Sequence, residues 1–379
     1  MSVDVIPFVL DIAEERLEDL RQRLAATRWP DREPVSDWSQ GAPLEKVQAL
    51  VEYWRTDYDW RRCERELNSR NQYRTEIDGV DIHFLHVRSK QENAMPLLLT
   101  HGWPGSVVEF LKCIGPLVDP VAHGGSADDA FHLVIPSLPG YGFSGKPRET
   151  GWNVRRIAKT WDVLMHRLGY DRYVAQGGDW GAAVTTAMGM ARFEGLAAIH
   201  LNMPIVMPEN PGTDLSEAEQ TMLDRMGFYQ RWDSGYSTQQ ATRPQTLGYG
   251  LADSPAGQAA WIYEKFYAWT DCNGAPENAL SFDDMLDNIM LYWLPNTGTS
   301  SARLYWESFH GGFGAKELHL PTGCSVFPKD IYAAPRSWAE KCMHDLIYWN
   351  ELEKGGHFAA FEQPVQFVQE LRNCFRLIR

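Results

Sequence analysis

The chain has 379 residues, 44% of them hydrophobic and 12% aromatic, which suits a globular protein with a sizeable core. A net charge of −14 argues against nucleic acid and anionic membrane as partners. Cys63, Cys113, Cys272, Cys324, Cys342 and Cys374 are scattered and form no C-x-x-C pair. That pattern fits buried free thiols in a reducing compartment, so the cytoplasm is the expected location. Met1-Ser2-Val3-Asp4-Val5-Ile6-Pro7 has neither a basic region nor a long apolar run. No signal peptide is therefore expected, and no apolar stretch is long enough to span a bilayer.

Residues 1–90 read as an N-terminal segment. Asp11 is expected to cap a helix through Leu17, Leu20 and Leu24, which Trp29-Pro30-Asp31 ends. Trp38, Tyr53, Trp54, Tyr58 and Trp60 follow in a stretch that reads as irregular. So aromatic a stretch is expected to wrap around another part of the chain. Residues 74–77 and 80–87, joined by Asp78-Gly79, read as a hairpin.

Residues 91–204 alternate between strands and helices. Residues 97–100 form an apolar strand leading into His101-Gly102-Trp103-Pro104-Gly105, and residues 131–136 form the next. A helix is predicted over 154–168 and a further strand over 196–201. Apolar strands separated by helices indicate a mostly parallel sheet covered on both faces. Residues 205–300 break this alternation, with helical patterns rich in Tyr and Trp, and are expected to form an inserted cap. Residues 301–379 resume it, with strands over 323–327 and 346–350 and a last helix over 365–377.

The most informative stretch is Gly177-Gly178-Asp179-Trp180-Gly181, between a short β-type segment and an Ala-rich helical pattern. This is the layout of a nucleophile elbow with a carboxylate in the nucleophile's place. A carboxylate can displace a leaving group at an sp³ carbon and form an alkyl ester, which water must then cleave. Epoxides and alkyl halides are the substrates this chemistry suits.

Such a nucleophile needs a base, an acid to orient the base, and N–H donors for an oxyanion. His357, in Gly355-Gly356-His357-Phe358, follows the last strand and fits the base, although a lone histidine there could equally cap the final helix. Asp330, in Phe327-Pro328-Lys329-Asp330, fits the acid. The alternative acid position, after the strand ending near Leu201, holds Asn202, which carries no charge; Glu353 is a weaker candidate. The backbone N–H groups of Trp103 and Trp180 are placed for the oxyanion hole.

Together these residues resemble the microsomal-type epoxide hydrolases of the α/β-hydrolase fold. The resemblance rests on His101-Gly102-Trp103-Pro104-Gly105-Ser106, Gly177-Gly178-Asp179-Trp180-Gly181, Phe327-Pro328-Lys329-Asp330 and the run from Gly355 to Glu362. Leu24-Ala25-Ala26-Thr27-Arg28-Trp29-Pro30-Asp31 looks like the N-terminal segment specific to that branch. The resemblance implies an α/β-hydrolase core, an inserted helical cap and an N-terminal wrapping segment. It also implies two cap tyrosines that hydrogen-bond the epoxide oxygen. Their family contexts match Ser234-Gly235-Tyr236 and the run from Ser300 to Tyr305. Membrane-bound relatives carry an apolar anchor before the N-terminal segment, and attachment of that kind is not expected to carry over.

The implied partners are a small apolar epoxide and water, with no nucleic acid and no membrane anchor; a homo-oligomer is left open. No metal or organic cofactor is expected. A dehalogenase using the same Asp and His is the nearest rival and would need halide-binding indoles, for which Trp180, Trp232, Trp261, Trp269 and Trp293 are available. A non-enzymatic binder of hydrophobic ligands is the other.

Overall fold

A nine-stranded sheet organises the chain, in the order β1-β2-β3-β5-β4-β6-β7-β8-β9. The strands are β1 Ile6–Phe8, β2 Gln72–Ile77, β3 Val80–Val87, β4 Met95–Thr100, β5 Phe131–Pro136, β6 Tyr173–Gly177, β7 Leu196–Leu201, β8 Thr322–Val326 and β9 Leu346–Glu351. Pairings from β5 to β9 are parallel, and those joining β1, β2, β3 and β5 are antiparallel. This computed structural model describes residues 4–208, 211–312 and 314–379. Met1, Ser2 and Val3 of the opening stretch, Glu209 and Asn210 of the segment read as a cap, and Phe313 lie outside the described residues.

The expected mostly parallel sheet and the hairpin over residues 74–87 are both present. The N-terminal segment differs from its sequence reading. Helix α1 spans Glu14–Ala25 and starts from Ala13 with no side-chain cap, so Asp11 does not cap it. The cause is tertiary. Leu10 N–H donates to Asn68 and Ile12 N–H to Glu64, which holds the chain extended past Asp11 and delays the first turn. The helix also stops before Trp29-Pro30, with Ala26 N–H closing on Gln22 O.

The stretch read as irregular contains two helices, α2 Leu44–Thr56 and α3 Trp60–Asn68. Val47, Leu50, Val51 and Trp54 recur at helical spacing and form the buried face of α2. Asp59 caps α3 by accepting from Arg61 N–H. The expected wrapping is realised through these helices. Trp38 stacks on Tyr267, ring centroids 4.0 Å apart. Tyr53 donates to Asp283, while Tyr58 and Arg62 both donate to Asp287.

Helices α4 Leu111–Val118, α5 Val154–Arg167 and α6 Trp180–Ala191 alternate with the strands of the first half. Between β7 and β8 come α7 Glu217–Phe228, α8 Gly235–Thr242, α9 Pro244–Asp253, α10 Pro255–Trp269, α11 Phe282–Trp293 and α12 Gly298–Phe309. Their starts are written locally: Ser216 with Glu219 and Ser281 with Asp284 form capping boxes, and Pro244 and Pro255 open their helices. Helices α13 Arg336–Cys342, α14 Ala359–Glu362 and α15 Pro364–Phe375 complete the chain. Among the described residues, no helix is long and apolar enough to cross a membrane.

Register decides where side chains can meet. Thr100 pairs with Gly177, Gly177 with Leu201, Leu201 with Cys324 and Cys324 with Trp349. The carboxyl ends of β4, β6, β7, β8 and β9 are thereby brought level, and the loops that follow them converge, where open α/β sheets place their sites.

Candidate active site

Asp179 stands between β6 and α6 with φ +50° and ψ −126°. A non-glycine residue held at such angles costs about 1–3 kcal/mol, and the surrounding packing must impose it. Two glycines show how tight the turn is. A Cβ on Gly181 would lie 1.9 Å from Thr100 O, and one on Gly102 would lie 2.3 Å from Asp179. Only bare backbone allows the loop after β4 to approach the elbow this closely.

That approach places Trp103 N–H against Asp179 Oδ1 at 2.7 Å. His101 keeps the loop in shape. Its Nε2 accepts from Leu138 N–H and its Nδ1 lies 2.9 Å from Gly102 O. Burial pushes its pKa down to about 4, so the ring is neutral, with the Nδ1 proton on the carbonyl. Trp180, the other expected oxyanion donor, opens α6 directly after Asp179.

On the opposite side, His357 Nε2 lies 3.4 Å from Asp179 Oδ2 and His357 Nδ1 lies 2.7 Å from Asp330 Oδ1. The two loops are tied through the backbone: Lys329 N–H donates to Gly355 O. His357 N–H donates to Trp269 O at the end of α10, which fixes the base loop to the inserted helices. Burial disfavours the imidazolium, but the carboxylates of Asp330 and Asp179 on either side outweigh it and hold the His357 pKa well above 6.5. Glu353, the rival acid, is exposed, and Asn202 accepts from Gln176 beneath the elbow.

Tyr236 on α8 and Tyr305 on α12 are both buried above Asp179, their ring centroids 5.8 Å apart. Tyr236 stacks on Trp103 at 4.9 Å, and Tyr305 packs edge-on against Trp180 at 4.8 Å. Burial and nearby anionic groups push both phenol pKa values well above 10, so each O–H keeps its proton. All seven residues singled out in the sequence therefore meet in one place.

Several neighbours were not singled out in the sequence. Tyr229 Oη lies 3.1 Å from Tyr236 Oη. Lys265 is buried, bonded to Asp233 at 2.8 Å, with its ammonium 4.6 Å from the Tyr236 ring centroid. Glu109 is buried at the start of the segment after Ser106 and lines a cavity of about 20 Å³ with His101, Trp103, Asp179 and His357. Only the short spacing between Gly105 and Glu109 hints at the last of these.

Two of the cap indoles open to a halide site are engaged elsewhere. Trp269 Nε1 donates to Asp233 at 2.7 Å, Trp261 Nε1 to Gln240, and Trp232 is exposed.

Comparison with known proteins shows the family. A family model described as "Epoxide hydrolase N terminus" matches residues 5–110, and one described as "alpha/beta hydrolase fold" matches residues 95–240. A putative epoxide hydrolase of Stigmatella aurantiaca is 61% identical over 376 residues, covering 99% of this chain and 86% of that protein. Epoxide hydrolase 1 of Oryctolagus cuniculus is 35% identical, covering 96% of this chain and 87% of its own length. The structure of Aspergillus niger epoxide hydrolase superposes with a TM-score of 0.87 at 33% identity, over 99% of this chain and 97% of that one. Juvenile hormone epoxide hydrolase from Bombyx mori gives 0.91 at 30% identity, over 100% and 95%. The chain belongs to the microsomal-type epoxide hydrolase family of the α/β-hydrolase fold and is an epoxide hydrolase.

Proposed function

We propose that this enzyme opens an apolar epoxide through a covalent ester on Asp179 and releases a vicinal diol. The observation that carries this reading is the setting of the Asp179 carboxylate. One oxygen accepts from Trp103 N–H at 2.7 Å, while the other faces His357 Nε2 at 3.4 Å.

In the first step a lone pair of Asp179 attacks the less hindered epoxide carbon and the ring C–O bond breaks. Tyr236 and Tyr305 donate hydrogen bonds to the oxygen as its charge develops, which favours the transition state over the bound substrate. Ester formation removes the negative charge beside His357. The imidazolium then loses one of its two carboxylate neighbours and its pKa falls, so its proton passes to the alkoxide oxygen, leaving a hydroxyl on the ester and a neutral base for the next step.

In the second step His357, held by Asp330, takes a proton from water as the water oxygen bonds to the ester carbonyl carbon. The N–H groups of Trp103 and Trp180 hold the oxyanion. As this intermediate collapses, the bond from the carboxyl carbon to the substrate oxygen breaks, that oxygen takes the proton of the added hydroxyl, and the diol leaves with Asp179 restored as a carboxylate beside the protonated His357. Helices α7 to α12, inserted between β7 and β8, close the site with aromatic rings such as Tyr236, Trp269 and Tyr305, which suits an apolar substrate. All six cysteines are free thiols, which fits a reducing compartment such as the cytoplasm.

Intact-protein mass spectrometry of His357→Gln mixed with styrene oxide tests the route. A mass increase equal to one substrate, mapped to the Asp179 peptide, is the expected result. Diol formation with no adduct at any time would refute it.

A further inference from the structure

The cavity of about 20 Å³ between Asp179, His357 and Glu109 is too small for an epoxide and large enough for one water molecule. Any water activated by His357 against an Asp179 ester must sit within hydrogen-bond reach of His357 Nε2 and close to the Asp179 carboxyl carbon. A water so placed gives one proton to His357 and still has a second hydrogen to direct. Glu109 is the remaining carboxyl on the cavity wall.

The chain makes room for this carboxyl. A Cβ on Gly105 would lie 1.3 Å from Glu109 Oε1, so the bare backbone at Gly105 is what lets the side chain fold back beside the site. Oε1 accepts from Ser106 N–H at 3.1 Å, and Ser106 Oγ is itself fixed by Asn288. Capping a short turn does not require burial; a solvent-exposed carboxyl caps as well. Here the group is carried into the interior beside two other ionisable residues, at the cost of its hydration.

We propose that Glu109 is a positioning residue for ester hydrolysis: a carboxyl oxygen accepts the second hydrogen of the attacking water and aims its lone pair at the Asp179 ester carbonyl. This rests on the covalent route proposed above. One water proton passes to His357 Nε2 as the C–O bond forms; Glu109 neither gains nor loses a proton. The groups that act electrostatically on it are His357, Asp179 and Glu362. Burial chiefly, with Asp179 and Glu362 adding to it and His357 opposing, raises its pKa to about 8. It therefore stands neutral at pH 7 and adds no charge that would hold His357 in its protonated form.

The test separates the two chemical steps by rapid mixing with styrene oxide and intact-mass detection, comparing wild type, Glu109→Leu and Glu109→Gln. Glu109→Leu is expected to slow ester hydrolysis by about 10- to 100-fold while ring opening stays within about threefold. The ester then accumulates. Glu109→Gln keeps an acceptor oxygen and is expected to restore hydrolysis to within about fivefold of wild type. A merely structural role would slow both steps together, and Glu109→Gln would do no better than Glu109→Leu; either result overturns the inference. If Glu109→Leu does not fold, the pH profile of hydrolysis decides. Wild type should show an inflection at or below pH 8 that Glu109→Gln lacks, and matching profiles overturn the inference. A wild-type enzyme that never carries the ester overturns the covalent route itself, and this inference with it.

Discussion

His357 Nε2 lies 3.4 Å from Asp179 Oδ2, although the two residues are 178 positions apart in the chain and meet only because the loops after β6 and β9 leave the same edge of the sheet. The pair behaves as one electrostatic unit. Asp330 on the other ring nitrogen shares in holding the proton.

Removing the Asp179 charge should therefore free His357. In Asp179→Asn the His357 pKa is expected to fall back toward 6.5, since Asp330 then opposes burial alone. In wild type the ring stays charged well above that value. Labelled-histidine NMR across a pH series reads both directly. Unchanged titration in the variant would show that Asp179 does not set the charge of His357. Diol formation should fall by about 10³-fold or more in the same variant.

The two phenols should act on ring opening alone. Tyr236→Phe and Tyr305→Phe each remove one donor to the developing alkoxide, and each is expected to slow ring opening by about 10- to 100-fold. Ester hydrolysis should stay close to wild type. Transient kinetics that resolve the two steps check this, and equal losses in both would mean that the phenols support packing instead.

Asp330→Asn tests the orienting acid. Its Oδ1 is 2.7 Å from His357 Nδ1, and an amide there presents a neutral partner. Ester hydrolysis should fall by about 10²-fold or more, with ring opening affected less. Full hydrolytic activity in this variant would shift the role to another carboxyl.

Stability has its own histidine. His200 on β7 is fully buried against Ser325, and burial lowers its pKa to about 3. A depressed folded pKa contributes stability above pH 6.5 that is lost as pH falls below it, because the unfolded chain takes up the proton first. His200→Gln should cost stability at pH 7, and that cost should shrink by about 2 kcal/mol at pH 5. Urea unfolding at the two pH values measures the change. A constant difference would show that His200 is not buried as a neutral ring.

The candidate site was legible because its residues lie in short local motifs at strand ends. Asp179 sits in a turn that only small flanking residues permit, and His357 sits between Gly355-Gly356 and a helix start. The N-terminal helices were less legible. Trp54 and Trp60 belong to different helices with Tyr58 in the turn between them, and this aromatic run masked the 3.6-residue period. Asp11 failed as a cap because Asn68 and Glu64, over fifty residues away, already held its neighbours. Glu109, Tyr229 and Lys265 escaped notice for the same kind of reason. Their importance comes from which side chains they meet across the fold, and no local pattern encodes that.

The covalent ester is the centre of the account, and a single turnover in ¹⁸O-water with enzyme in excess over styrene oxide tests it most directly. The account predicts unlabelled diol in the first turnover and ¹⁸O in the Asp179 peptide. Labelled diol at once, with no label in the peptide, would mean that water attacks the epoxide directly and that Asp179 is not the nucleophile.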